Sequence, residues 1–370
     1  MTALASAAPA PRRTAPVIRW QLPLPGWGEP AADDSAAFFL TRTHEVVCVD
    51  AATGSIRWRS HTGGSGDVPT GTQVRLASPR VVVGDGAIVA FDRASGRPVW
   101  RFEASDGDDP GVFLGGVDAD LVVAGSPRGR VYAVDAVSGA LRWTHEIAPG
   151  GRRVVFPPVQ VGPLIVASFA TFDGPLSGGL VGFDRSGRRR WTHRFEAGAA
   201  AAGPPLVVAG VVVVARTDGR IEMVRPASGR PVWVLGPEAP SAAGAGGRDI
   251  RALASRGNRL VVTSLTGPIR AYDVRSRRQH WQYVDGPADA VALRARAYGG
   301  QLYVPYSDGS LVALDLQTGT ERWRTDDGTR AFDWPPAASA TAVFAPGADA
   351  LWAFALDPLD TALREEHDHR

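Results

Sequence analysis

Apolar residues in this chain come in short runs broken by Gly, Asp, Ser and Pro. Val131-Tyr132-Ala133-Val134 is one such run, followed at once by Asp135. Others lie back to back, as in Pro205–Ala209 with Val211–Ala215, and Ala252–Ser255 with Arg259–Ser264. Each has the length and β-branched character of a strand. Gly-bearing turns such as Thr217-Asp218-Gly219 and Ser307-Asp308-Gly309 lead into the next run. No apolar stretch approaches a membrane-spanning helix in length. The pattern predicts an all-β chain.

Its tryptophans show that the strands repeat. Trp58, Trp100, Trp143, Trp191, Trp233, Trp281 and Trp323 are spaced 42, 43, 48, 42, 48 and 42 residues apart. Each closes one phrase, such as AFDRASGRPVW or AVDAVSGALRW. In that phrase a strand runs into an Asp whose carboxylate can accept from nearby backbone N–H groups. A Gly supplies the positive φ that closes the turn, and a further strand carries the Trp. Two residues before the Asp the side chain is usually small: Cys48, Ala90, Ala133, Gly182, Ala271 and Ala313. A small residue there leaves room for the Trp, so Cys48 reads as a size-selected core residue. With two more β-rich runs upstream, each unit is a four-stranded antiparallel sheet, and radial repetition of such sheets makes a β-propeller.

Seven phrases are complete and an eighth is split. Ala350–Asp357 matches the first half of the phrase, and Val17-Ile18-Arg19-Trp20-Gln21-Leu22 resembles its Trp-bearing strand. The expected fold is an all-β, eight-bladed β-propeller of four-stranded antiparallel blades, its ring closed by the N-terminal strand completing the last blade. The expected organisation is a tail over 1–16, a propeller over 17–358 and a tail over 359–370.

These phrases resemble the pyrroloquinoline-quinone-like repeat, whose pattern is Ala-x-Asp-x-x-Thr-Gly-x-x-x-Trp. The resemblance covers nearly the whole propeller region. One branch of that family comprises quinoprotein alcohol dehydrogenases, with a quinone and a calcium ion in the funnel. The resemblance implies for that branch an adjacent Cys pair and an Asn among the metal ligands. This chain has only Cys48 and only Asn258. The other branch, of BamB-type scaffolds, is non-catalytic and fits the size of this chain. No cofactor is therefore expected.

Departures from the repeat point to function. Blade 5 carries Arg225-Pro226 and Met223 where Asp and a small residue belong, and blade 6 carries Arg277 in place of Gly. The two 48-residue spacings add Ser168–Gly179, expected as a loop with Phe169, Phe172 and Asp173, and Gly236–Arg248 between blades. Both loop types emerge on one face, around the central channel. Loops on a rigid scaffold are where binding concentrates.

Candidate binding residues on that face are Arg152, Arg153, Arg216, Arg251, Arg294 and Arg296, with Asp173, Asp218, Asp308 and Asp333, and the aromatics Phe172, Tyr306, Phe332 and Trp334. Arg forks suit carboxylate or phosphate recognition, and aromatics add anchoring area. His145, His193 and His280, next to repeat tryptophans, read as surface residues. His44 and His61 are the two His to test as acid or base. No nucleophile elbow or His-Glu-x-x-His motif occurs.

Forty basic residues face thirty-eight acidic ones for a net charge of +2, too balanced for a nucleic-acid binder. The chain contains no Lys, which removes Schiff-base and P-loop chemistry. Met1–Pro16 holds Arg12-Arg13 but no apolar signal core, so a cytoplasmic protein is expected; a removed signal would leave the same picture. A closed ring needs no partner for stability, so a monomer is expected. The residues favour a scaffold binding a protein or peptide through its loop-rich channel face. The alternative is a small-ligand binder or enzyme of specialised metabolism using the funnel's Arg, Asp and aromatic groups.

Overall fold

The computed structural model describes residues 15–65, 72–104, 111–147, 151–236, 250–264, 267–284, 290–325, 332 and 334–356. They form an eight-bladed propeller. Blade 3 shows the plan: Phe113–Val117, Leu121–Gly125, Arg130–Asp135 and Leu141–Glu146 hydrogen-bond in that order as an antiparallel meander from the channel outwards. Blade 8 contributes Ala337–Ala338, Ala342–Pro346 and Leu351–Ala355, and Ile18–Leu22 adds the outermost strand. Trp20 pairs there with Ala353. The ring thus closes by hydrogen bonds rather than by a covalent bond, and that sheet's outer edge is covered.

The sheets bury both faces. Among the described residues eight apolar clusters form, one between each pair of neighbouring blades. One of them joins Trp20, Phe344 and Leu351 of blade 8 to Phe39, Val47 and Val49 of blade 1. The inner strands of blades 1 and 2 also pair directly, Glu29 with Gln73.

The repeated phrase is a lock between blades. Cys48 pairs with Trp58, Ala133 with Trp143, and Ala313 with Trp323, so the small residue lies opposite its own blade's Trp. Cys48 is 1% exposed, and burial pushes its thiol up to about 11. The indole N–H then reaches the next blade. Trp20, Trp58, Trp100, Trp143, Trp191 and Trp281 donate to the carbonyls of Ala51, Arg93, Ala136, Arg185, Pro226 and Leu316 at 2.7–3.1 Å. Each acceptor directly follows the repeat's Asp position.

The repeat Gly sits on the ring of that same Trp. A Cβ on Gly139 would fall 2.8 Å from Trp100, and φ there is +74°. Glycine is needed twice at this position, for the left-handed backbone and for the indole's approach. Asp135 holds the turn open for it. Its Oδ1 accepts from the N–H groups of Val137 and Ser138 at 2.9 and 2.7 Å. The Arg142 guanidinium, 2.6 Å from Oδ2, and the Ser138 donors keep its carboxyl well below the usual range.

Two departures meet at one seam. Trp233 of blade 5 pairs with Met223 instead of a small residue. The turn it would rest on has Arg277, forced to φ 60°. Among the described residues Trp233 makes no indole bond like those of the other six.

The insertion in blade 4 differs from expectation. Leu164–Thr171 and Ser177–Asp184 pair along their whole length, so only 172–176 loop out. Phe169 is 1% exposed in the sheet. Alternation puts it in the apolar cluster between blades 3 and 4, so the added length extends a hairpin. Gly236 is described; 237–249 lie outside the described residues.

We predict that Gly139→Ala costs about 2 kcal/mol or more, since a left-handed Ala alone costs roughly 1–2 and the methyl meets Trp100. Gly236→Ala, with open space around it, should stay within about 0.5 kcal/mol. Arg277→Gly should stabilise by about 0.5–1 kcal/mol as the left-handed strain is relieved against the entropy of Gly. Urea unfolding of the three variants checks all of these.

Candidate functional site

In each blade the turns between strands one and two, and three and four, lie at one end. The turns between strands two and three lie at the other end with the inter-blade links. This second end, the top face, carries most of the candidates.

At the mouth of the channel, Glu29 projects from a break in the pairing of Gly26–Ala32 with its neighbour strand, between Trp27 and Ala31. It is 3% exposed. Arg294 pairs with its Oε1. Arg75 lies 3.3 Å and Arg296 3.8 Å from Oε2. Burial pushes this carboxyl up, but Arg294, then Arg75 and Arg296, pull it down to about 2. Arg75 also donates to Gln73. The cluster therefore joins blades 1, 2 and 7 across the channel, past the two-residue inner strand of blade 8. The surrounding cavity of about 710 Å³ is lined otherwise by Gly, Ala, Pro and apolar residues, among them Phe156, Pro158 and Pro205, with Gln160 and Ser255 the remaining polar side chains.

A second recess of about 590 Å³ lies on the top face between blades 3 and 4. Arg152, Arg153, Phe172 and Asp173 all line it, with Arg128 and Gly151. Asp173 Oδ2 accepts from the Arg152 N–H at 2.5 Å, and the Phe172 N–H donates to the Arg152 carbonyl at 2.8 Å. Arg153 pairs with Glu146 at 3.0 Å. The Phe172 ring is left 47% exposed, the one aromatic among the strongly exposed large hydrophobics of the described residues.

Trp334 stands edge-on to Trp27, ring centroids 5.4 Å apart, and Arg42 lies 4.4 Å over the Trp27 ring. This cation–aromatic stack sits where blade 8 meets blade 1.

Other candidates serve the scaffold. Arg216 is 2% exposed and pairs with Glu222 and Asp218 at 2.7 Å and with Glu196. Its guanidinium lies 4.9 Å over Phe195. Buried so completely, it latches blade 4 to blade 5 and has no face left for a partner. Tyr306 and Phe332 are 3% and 0% exposed and belong to the apolar contacts flanking blade 7. Asp308 caps its own turn through Ser310 at 2.9 Å. Arg251 is on the inner strand Ile250–Arg256; its side chain, like Asp333, lies outside the described residues.

The histidines also hold blades together. His44 Nδ1 is 2.8 Å from Asp85 Oδ2, which also accepts from Thr62 Oγ1 at 2.5 Å. All three are at most 6% exposed, so this is an inter-blade clamp between blades 1 and 2. His193 and His145, expected as surface residues, are half-buried instead. His193 bonds Glu222 at 2.6 Å, and His145 donates to the Gly187 carbonyl at 2.7 Å. Both reach the next blade because the outer strand edge is covered by its neighbour's turn.

Sequence reasoning missed Glu29, Gln73, Arg75, Trp27 and Arg42. A signal existed in Gln73-Val74-Arg75-Leu76 and Arg294-Ala295-Arg296-Ala297. In each, the two polar side chains stand two residues apart at the start of a blade's first strand and so fall on one side of it. Among the described residues no group of three or more His, Cys, Asp or Glu could hold a metal ion, and no helix is long and apolar enough to cross a membrane.

Fold and site together define a Trp-locked propeller with a cationic channel and an aromatic top face. The family model described as outer membrane protein assembly factor BamB matches residues 17–170 and 176–332, and the chain belongs to that family. The BamB of Yersinia pestis is 24% identical over 258 residues, covering 65% of this chain and 62% of that relative. The chain thus spans less than two thirds of that relative's length. Among solved structures, the computationally designed protein Ika8 superposes with a TM-score of 0.73 at 14% identity, over 93% of this chain and 100% of Ika8. BamB from Moraxella catarrhalis gives 0.57 at 21% identity, over 83% and 92%. At these identities the structures establish the fold alone.

Two predictions follow from the buried polar groups. The folded Glu29 carboxyl titrates below its ordinary value of 4.5, at about 2. Its stabilisation is therefore complete above the ordinary value and lost as pH falls towards the folded one. Glu29→Gln should flatten the acid limb of stability against pH in that window, read by thermal unfolding. His44→Ala strips a donor from buried Asp85 and should cost about 1–3 kcal/mol by urea unfolding.

Proposed function

We propose that this chain is a non-catalytic propeller scaffold that binds a protein or peptide partner through its loop-rich top face. The exposed Phe172 carries the reading. The longest paired hairpin among the described residues projects this ring into solvent beside Arg128 and Arg152. An exposed aromatic flanked by Arg has the composition of an interface anchor. The Trp27–Trp334 pair with Arg42 offers a second anchor on the same face. Membership of a family described as assembly factors supports a partner-binding role. The bottom face suits structure instead, since its turns are occupied by the tryptophan locks.

The test is native mass spectrometry of the full chain isolated gently from its source, followed by binding assays with the purified partner. Phe172→Ala should weaken binding by about 1–2 kcal/mol or more and leave the melting temperature unchanged. Val137→Ala, at a still more exposed residue in a bottom turn, should leave affinity unchanged. A partner that binds Phe172→Ala and Trp334→Ala at wild-type affinity would refute the site.

A further inference from the structure

We infer that the central channel is a binding site for a small organic oxyanion, a carboxylate or phosphate of up to two negative charges, held by Arg75, Arg294 and Arg296. This site is separate from the top-face recess and does not depend on it.

The first support is charge. The charged side chains lining the described channel are three Arg and one Glu. Arg remains protonated at any physiological pH, and Glu29 is held ionised by its neighbours. Three positive charges against one leave a surplus of two, enclosed by low-dielectric walls that strengthen its field. Arg296 registers that surplus. Burial lowers its pKa, Glu29 opposes this, and Arg75 and Arg294 reinforce it.

The second support is unspent hydrogen-bonding capacity. Each guanidinium has five N–H donors. Arg296 comes no closer than 3.8 Å to Glu29, beyond hydrogen-bond length. Arg294 meets Glu29 through one nitrogen. Both side chains are 41% exposed within the cavity. Glu29 thus tethers the two guanidinium groups side by side and leaves most of their donors to an incoming oxyanion, which two forks can grip.

The third support is shape. A cavity of about 710 Å³ lies within the range of small-molecule sites, roughly 300–1,000 Å³. Its remaining walls are mostly apolar, with Phe156, Pro158 and Pro205 among them. They suit the carbon skeleton of an organic acid.

The probes are succinate and inorganic phosphate, with succinamide as the uncharged control, titrated calorimetrically into the full chain. Succinate and phosphate should bind, raise the melting temperature, and weaken with added salt; succinamide should do neither. Arg294→Gln and Arg296→Gln should each lower affinity by about tenfold or more. Glu29→Gln, which raises the surplus charge, should bind succinate more tightly while being less stable without it. Phosphorus NMR line broadening on the wild-type chain, reversed by succinate, reads the site without any variant. Phe172→Ala should bind succinate normally, so loss of the channel site and loss of the top-face site are distinguishable. Absence of phosphate broadening and of succinate heat at millimolar concentration overturns the proposal. So does equal binding of succinamide, or unchanged affinity in both Arg variants.

Discussion

A blade of this propeller cannot bury its two faces alone, and the tryptophan on each outer strand decides how neighbours meet. The indole lies on its own blade's small residue, donates to a carbonyl in the next blade and supports that blade's glycine. Three different residue types, far apart in sequence, are thereby fixed by one contact. A larger side chain at Ala133 would displace Trp143, and a Cβ at Gly139 would strike Trp100. Blade geometry is then reproduced around the ring, and Trp20 closes it through the same contact with Ala51 and Gly54.

This lock separates the two ends of the molecule. The bottom turns are committed to tryptophans, and their Asp and Arg side chains are committed to the turns, as Asp135 and Arg142 show. Among the described residues the top face carries no such repeated tryptophan contact. There the blades are joined by individual polar clamps, His44 with Asp85 and Arg216 with Glu196, each different in chemistry. Freed from the repeat, the same face can present Phe172, the Trp27–Trp334 pair and the channel arginines. The seam between blades 5 and 6 is the exception below, where Met223 and Arg277 leave Trp233 without its usual support.

How much of the site was legible followed the same division. Arg152, Arg153, Phe172 and Asp173 could be grouped from sequence, because an insertion in the repeat marks a place on the top face. Arg294 and Arg296 could be assigned to the channel side by topology. Arg216 and Tyr306 could not be told from them, since residues at equivalent turn positions point either into a blade interface or out of it. Glu29 and Arg75 stayed hidden, because an acidic residue in the first blade and a cation in the second carry no local mark of meeting.

By itself the sequence determined the strand pattern, the blade number, the ring closure and the role of Cys48. All of these depend on contacts repeated at fixed spacing, so each copy reinforces the others. Tertiary structure alone decided which charges meet across the ring, which histidines clamp blades, and that the blade 4 insertion extends a hairpin rather than a loop. Those outcomes rest on single encounters between distant segments, set by the curvature of the closed ring, and one encounter leaves no periodic trace in a chain.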